Sequence, residues 1–193
     1  TQDGFVARLD QQGKVLWAKQ IGGGGHDIAH RLVVGPQGSM RVLGRFHESI
    51  SLGAETLRTS SAAGASFMVH LDETGALSKA KKIADGRVYI YDAVFDAGGT
   101  LHAVGTMADE IVVGGKDVPA RHLEDAFFMQ IDPSGTISAA RVMGGIWDDY
   151  AYGIALGPNG EAVVVGEYRE RMVLGQHTLT SVGAGDGFVW RLR

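Results

Sequence analysis

The residues of this chain that could do chemistry are acids, aromatics and histidines set in glycine-rich connections. The densest cluster is Trp147-Asp148-Asp149-Tyr150. Paired carboxylates can divide acid and base work, and an aromatic beside acids can grip a sugar. Asp149 has a counterpart in Asp27, so that member of the pair reads as structural, bonding neighbouring loop amides. Trp147 has no such counterpart: the equivalent residue is Gly25. A tryptophan on a loop is a contact for a ligand or partner. Trp147, Asp148 and Tyr150 are therefore the candidate contact residues.

The remaining signals favour plainer roles. His26-Asp-Ile-Ala-His30 has the four-residue spacing of a zinc-binding helix. Here it follows Gly22-Gly-Gly-Gly25 into a strand, where residues four apart lie roughly 13 Å from each other. No metal is expected. The four glycines lack the Lys-Ser/Thr and the helix of a phosphate cradle and read as a flexible connection. Asp10-Gln-Gln-Gly13, Asp72-Glu-Thr-Gly75 and Asp132-Pro-Ser-Gly135 lack the further acids of a calcium loop. Each aspartate is expected to accept hydrogen bonds from amides of its own turn. His47, His70, His102, His122 and His177 fall at non-equivalent or strand-surface positions and define no Ser-His-Asp set. No catalytic residue and no cofactor is assigned.

These residues are positioned by a repeat. Gly44, Gly105 and Gly166 are spaced by 61 residues, as are Gly53, Gly114 and Gly175. Asp3-Gly-Phe-Val-Ala-Arg-Leu9 returns as Asp186-Gly-Phe-Val-Trp-Arg-Leu192. A fixed period marks units that cannot bury their apolar faces alone. In register, Phe5, Phe67, Phe127 and Phe188 superpose, followed by alternating apolar residues, which predicts strands sandwiched on both faces at one end. Turns at Gly35-Pro-Gln-Gly38, Asp96-Ala-Gly-Gly99 and Gly157-Pro-Asn-Gly160 close a second hairpin in each copy. Gly44, Gly105 and Gly166 sit inside strands, where glycine signals close backbone approach or a kink. A shorter hairpin ends each unit. No long segment has a 3.6-residue period, so the chain reads as all-β.

Four main strands per copy, glycine turns and doubly buried faces describe β-propeller blades. Strands over 3–21 complete one blade, 28–83 and 89–143 form two more, and 150–193 form part of another, within a single repeat domain. The second copy departs from the pattern in its shorter connection, Ala84-Asp-Gly-Arg-Val88. Two, four, four and three main strands fall short of the four to eight blades that usually close a ring. Further blades, from the same or another chain, are expected to cover the open sides. The duplicated terminal strand favours strand exchange between copies.

Composition is that of an ordinary globular protein, 45% hydrophobic and 21% charged, with 29 glycines against four prolines. A net charge of −4 gives no general attraction to nucleic acid or anionic membrane. The basic cluster Lys79-Ala-Lys81-Lys82 reads as a solvated strand face or edge. No apolar run approaches the roughly 18 residues of a membrane helix, and no signal peptide is visible. Without cysteine there is neither disulfide nor thiolate chemistry.

The strings Asp3 to Trp17 and Asp149 to Gly166 resemble the bacterial propeller repeats called SBBP repeats. Val173-Leu-Gly-Gln-His-Thr-Leu-Thr-Ser-Val-Gly183 is similar to the extra hairpin of copies found in large surface proteins of myxobacteria and related bacteria. The resemblance implies secretion or surface display. The expected function is a non-enzymatic scaffold that binds protein partners through its loops. A lectin-like glycan binder and a glycan hydrolase using Asp148 are the alternatives.

Overall fold

The computed structural model describes residues 2–192, which form β-strands and one 3-10 turn, with no α-helix among them. Among the described residues no helix is long and apolar enough to cross a membrane. The chain divides into two compact units, Thr1–Gly86 and Arg87–Arg193.

In the first unit the strands are β1 (Gly4–Leu9), β2 (Val15–Gly23), β3 (Ile28–Val34), β4 (Met40–Phe46), β5 (Ser49–Leu52), β6 (Glu55–Arg58), β7 (Ala65–Leu71) and β8 (Leu77–Asp85). They form two four-stranded sheets, ordered β1-β2-β5-β6 and β3-β4-β7-β8. All pairings are antiparallel. The short hairpin β5–β6 thus leaves its own repeat and pairs with the preceding one, through Gly22↔Ser51 and Gly23↔Ile50. Val6, Ile21, Val42, Phe46, Phe67 and Val69 close the core between the sheets. The lysine-rich segment lies on β8, the outermost strand of its sheet, where charge discourages edge pairing. Lys82 there binds Asp85 at 2.6 Å.

The second unit holds β9 (Val88–Phe95), β10 (Leu101–Met107), β11 (Glu110–Val113), β12 (Lys116–Pro119), β13 (Asp125–Ile131), β14 (Ile137–Met143), β15 (Tyr150–Leu156), β16 (Ala162–Tyr168), β17 (Arg171–Leu174), β18 (His177–Thr180) and β19 (Asp186–Leu192). Its larger sheets are ordered β9-β10-β13-β14 and β15-β16-β19, with β11–β12 and β17–β18 as separate hairpins. A bridge from Gly144 to Val173 again ties a hairpin to the preceding copy. Val104, Phe128, Val164, Phe188 and Leu192 belong to one core.

Two sequence expectations change. Gly22 and Gly23 are strand residues, not part of a flexible connection. A Cβ on Gly23 would lie 2.1 Å from the Ser49 carbonyl oxygen, so only glycine admits the crossing hairpin. The sandwiched strand is also not uniform. Phe67 and Met68 on β7 are both buried, as are Phe127 and Phe128 on β13. On β1 Val6 is buried while Phe5 is 75% exposed, and on β19 Phe188 is buried while Val189 is 73% exposed. Among the described residues, β1 and β19 each have a sheet packed against one face only.

Candidate functional site

The pairs β3–β4, β9–β10 and β15–β16 each carry a bulge. The register slips between Ala29 and Arg31, between Val104 and Gly105 opposite Asp92 and Ile90, and between Ala151 and Gly153. The extra residues are His30, Tyr91 and Tyr152. A bulge re-aims a side chain and disrupts the local ladder. Opposite them a Cβ on Gly44, Gly105 or Gly166 would lie 2.0, 1.7 or 1.9 Å from the carbonyl oxygens of Ile28, Tyr89 and Tyr150 respectively. The strand glycines thus admit the backbone crowding that accompanies the bulge.

In the second unit these bulges bring aromatics together. The Tyr91 and Tyr152 rings lie 5.8 Å apart, and Tyr150 stacks on Tyr152 at 5.8 Å with planes only 3° apart. Such geometry favours a rigid aromatic surface. Burial raises the Tyr150 hydroxyl pKa well above its ordinary value, and the Glu124 and Asp148 charges and the hydrogen bond to Glu124 add to this. Burial likewise raises Tyr152, which bonds Glu167. Both phenols stay neutral and direct their protons at carboxylates. Tyr152 is half exposed, beside an open groove of about 520 Å³ lined also by Glu167, Arg169, Gly185 and Asp186.

Of the predicted contact residues, Asp148 and Tyr150 share this acidic neighbourhood, and Asp148 lies 3.7 Å from Arg169. Trp147 is exposed on the loop between β14 and β15 but makes no ring contact with the tyrosines among the described residues. Sequence reasoning missed Tyr91 and Tyr152. Their signal was a tyrosine repeated 61 residues apart, opposite an equally repeated strand glycine.

Asp149 is fully buried. It accepts the Gly145 amide at 2.8 Å and the Arg169 amide at 3.3 Å. Burial pushes its carboxyl up to about 6, with the charges of Asp125 and Asp148 adding to the rise. Asp125 accepts the Arg121 and His122 amides through one oxygen, while its Oδ1 is buried without a partner. Asp27 repeats the arrangement, accepting Gly23 at 2.7 Å and His47 at 3.3 Å. These carboxylates brace the connections between sheets.

The turn aspartates act locally. Asp10 Oδ1 accepts the amides of Gln12 and Lys14, Asp72 Oδ1 those of Thr74 and Ala76, and Asp132 Oδ1 that of Thr136. Gly13, Gly75 and Gly135 close the turns at φ of 81°, 77° and 84°, which favours glycine. His26 offers its carbonyl to His47 Nδ1 at 2.9 Å. His102 Nε2 lies 3.1 Å from Asp96, and its Nδ1 is buried without a partner. No group of three or more potential metal ligands assembles among the described residues. No family model and no curated protein matches the chain.

Proposed function

We propose that the chain is a run of β-propeller blades of the SBBP-repeat kind, secreted or displayed at a cell surface, that serves as a non-enzymatic interaction module. The Tyr91, Tyr150 and Tyr152 stack carries this reading. Its rings lie against one another, and the Tyr150 and Tyr152 hydroxyls bond Glu124 and Glu167, so little conformational entropy remains to be lost when a partner covers them. Trp147 and Asp148 extend the contact surface from the neighbouring loop.

A lectin-like reading has its own support in the groove beside Tyr152. There an aromatic ring adjoins Glu167 and Asp186, a pairing suited to the apolar face and hydroxyls of a pyranose.

The test uses the full chain beside the double variant Tyr91→Ala/Tyr152→Ala, each immobilised against surface and secreted proteins and against a glycan array. A specific protein interaction lost in the variant, with circular dichroism unchanged, supports the protein-binding reading. Glycan binding lost in the same variant supports the lectin-like one. Equal binding by both chains in both assays overturns the assignment of the tyrosine surface.

A further inference from the structure

The tyrosine surface of the second unit differs in charge from its counterpart in the first. Tyr150 faces Glu167 across β15 and β16, and the matching pair on β3 and β4 is Ile28 and Arg45. Asp148 and Tyr152 correspond in the same way to His26 and His30. Arg45 is buried and donates to the carbonyls of Ala63 and Gly86, whereas Glu167 is partly buried and receives the Tyr152 proton. A blade thus forms with hydrocarbon, imidazole and guanidinium where the second unit has phenols and carboxylates. The fold does not demand the acidic set, which points to recognition.

Three carboxylates and one cation define the charge there. Tyr150 donates to Glu124 and Tyr152 to Glu167, so each ring is tied by its hydroxyl to an acid. Asp148 places a third negative charge near Tyr150. Arg169 lies 3.7 Å from Asp148, and its charge reaches Tyr152. The chain therefore already draws one guanidinium to this surface. Its side chain is 49% exposed and that of Asp148 27%, which makes the ion pair loose and screened. Arg121 and His122 direct their charge at Asp125 instead. The sign extends to the whole unit: Arg87–Arg193 has fourteen acidic side chains against eight lysines and arginines, while Thr1–Gly86 has eight against ten. Such a field concentrates cations at the surface.

We propose that the surface formed by Tyr91, Tyr150 and Tyr152 receives an arginine side chain from a basic segment of a protein partner. This rests on the interaction-module reading above and names the chemistry of the partner. The face of a tyrosine ring attracts a cation, and a planar guanidinium can lie flat on it. A carboxylate that accepts one phenol proton keeps further acceptor positions, so Glu124 or Glu167 can also take guanidinium N–H groups. Lysine offers a point charge without a plane and is the weaker ligand. Ile146 and Trp147, exposed on the loop that leads into Tyr150, offer apolar cover for the stem of the incoming side chain.

The test titrates the full chain into labelled peptides in which glycine and serine alternate with arginine, lysine or glutamate, read by fluorescence anisotropy. The arginine peptide should bind best, the lysine peptide more weakly and the glutamate peptide not at all, with affinity falling as salt rises. Glu124→Gln and Glu167→Gln keep an acceptor for the phenols, and each should weaken arginine binding by about threefold to tenfold. Arg169→Gln should strengthen it by about threefold, because a like charge is removed. Asp117→Asn, on the hairpin β11–β12 that carries none of these residues, should change it by less than about twofold. Unchanged circular dichroism shows that each variant is folded. No binding of the arginine peptide, weaker binding by Arg169→Gln, or equal losses in Asp117→Asn and Glu167→Gln overturns the inference. A protein partner retained by Tyr91→Ala/Tyr152→Ala removes the interaction surface itself. A partner lost in that variant yet indifferent to Glu167→Gln and Arg169→Gln removes the cationic ligand alone.

Discussion

Asp27 in the first unit and Asp149 in the second occupy the same place in the repeat and do the same work, yet their surroundings differ. Both are buried, and both accept the amide four residues before them and one from the strand end twenty residues on. Each has another aspartate nearby. Asp3, beside Asp27, is exposed and takes the Gln20 amide group at 2.5 Å. Asp125, beside Asp149, is fully buried with one oxygen unpartnered. The middle copy uses Ala65 and Val88 at these places, both buried. A connection of this kind can thus be braced by carboxylates or filled by apolar side chains, and the cost of the carboxylates depends on whether the second one reaches solvent.

The largest expected effect separates the two glycines under these pairs. A Cβ on Gly144 would lie 1.7 Å from Asp125 Oδ1, whereas a Cβ on Gly22 would meet the Asp3 side chain at 2.3 Å. Asp3 can swing into solvent and Asp125 cannot. Gly144→Ala should lose about 3 kcal/mol in denaturant unfolding, and Gly22→Ala under about 1 kcal/mol. Equal losses would mean that both aspartates are equally fixed.

The next effect is pH dependence. Asp149 has a folded pKa of about 6 against 3.8 for the free group. A carboxyl whose pKa rises on folding contributes stability that is present below the unfolded value and lost as pH climbs through the folded one. Between pH 7 and pH 4 the second unit should therefore gain stability on the order of 2 kcal/mol. Asp72 and Asp96 work in the opposite sense. For Asp72 the hydrogen bond from Thr74 leads the lowering, with amides assisting. Burial opposes the shift at Asp96, but hydrogen bonds from His102, Thr100 and Gly98 outweigh it. Their contribution disappears only below the ordinary carboxylate range. Hydrogen exchange at the Gly145 and Arg169 amides should slow on mild acidification, and Asp149→Asn should flatten the profile.

Two smaller effects sharpen the contrast. Asp125→Asn keeps an acceptor for Arg121 and His122 and removes a charge facing Asp149. It should raise stability at pH 8 by about 1 kcal/mol in thermal melts. The matching Asp3→Asn should stay within about 0.5 kcal/mol, as exposed substitutions do.

What could be read in the sequence follows from what side chains announce. Asp10, Asp72 and Asp132 declare their turns, and alternating apolar residues around Phe67 and Phe127 declare strands. Gly22 and Gly23 carry no side chain and so no period, which hides their place in β2 and their pairing with β5. Tyr91 and Tyr152 are obscured for another reason: a bulge breaks the two-residue alternation at the residue it re-aims. Asp125 recurs at the place of Asp3 and Asp186, but nothing in that recurrence tells that it is buried. Its buried oxygen depends on Gly144 passing against it, a contact between segments nineteen residues apart.

The hairpin β5–β6, which crosses to the sheet before it, also separates the sequence repeat from the structural piece. Sixty-one residues is the interval at which the text recurs, but the piece that can stand on its own is cut differently, since β2 is completed by β5 and β6 from the following copy. Trimming or splicing at the textual boundary would strip a sheet of two strands and leave a hairpin with nothing to clasp. A block cut from the first unit keeps its sheet whole only when the cut falls after β6.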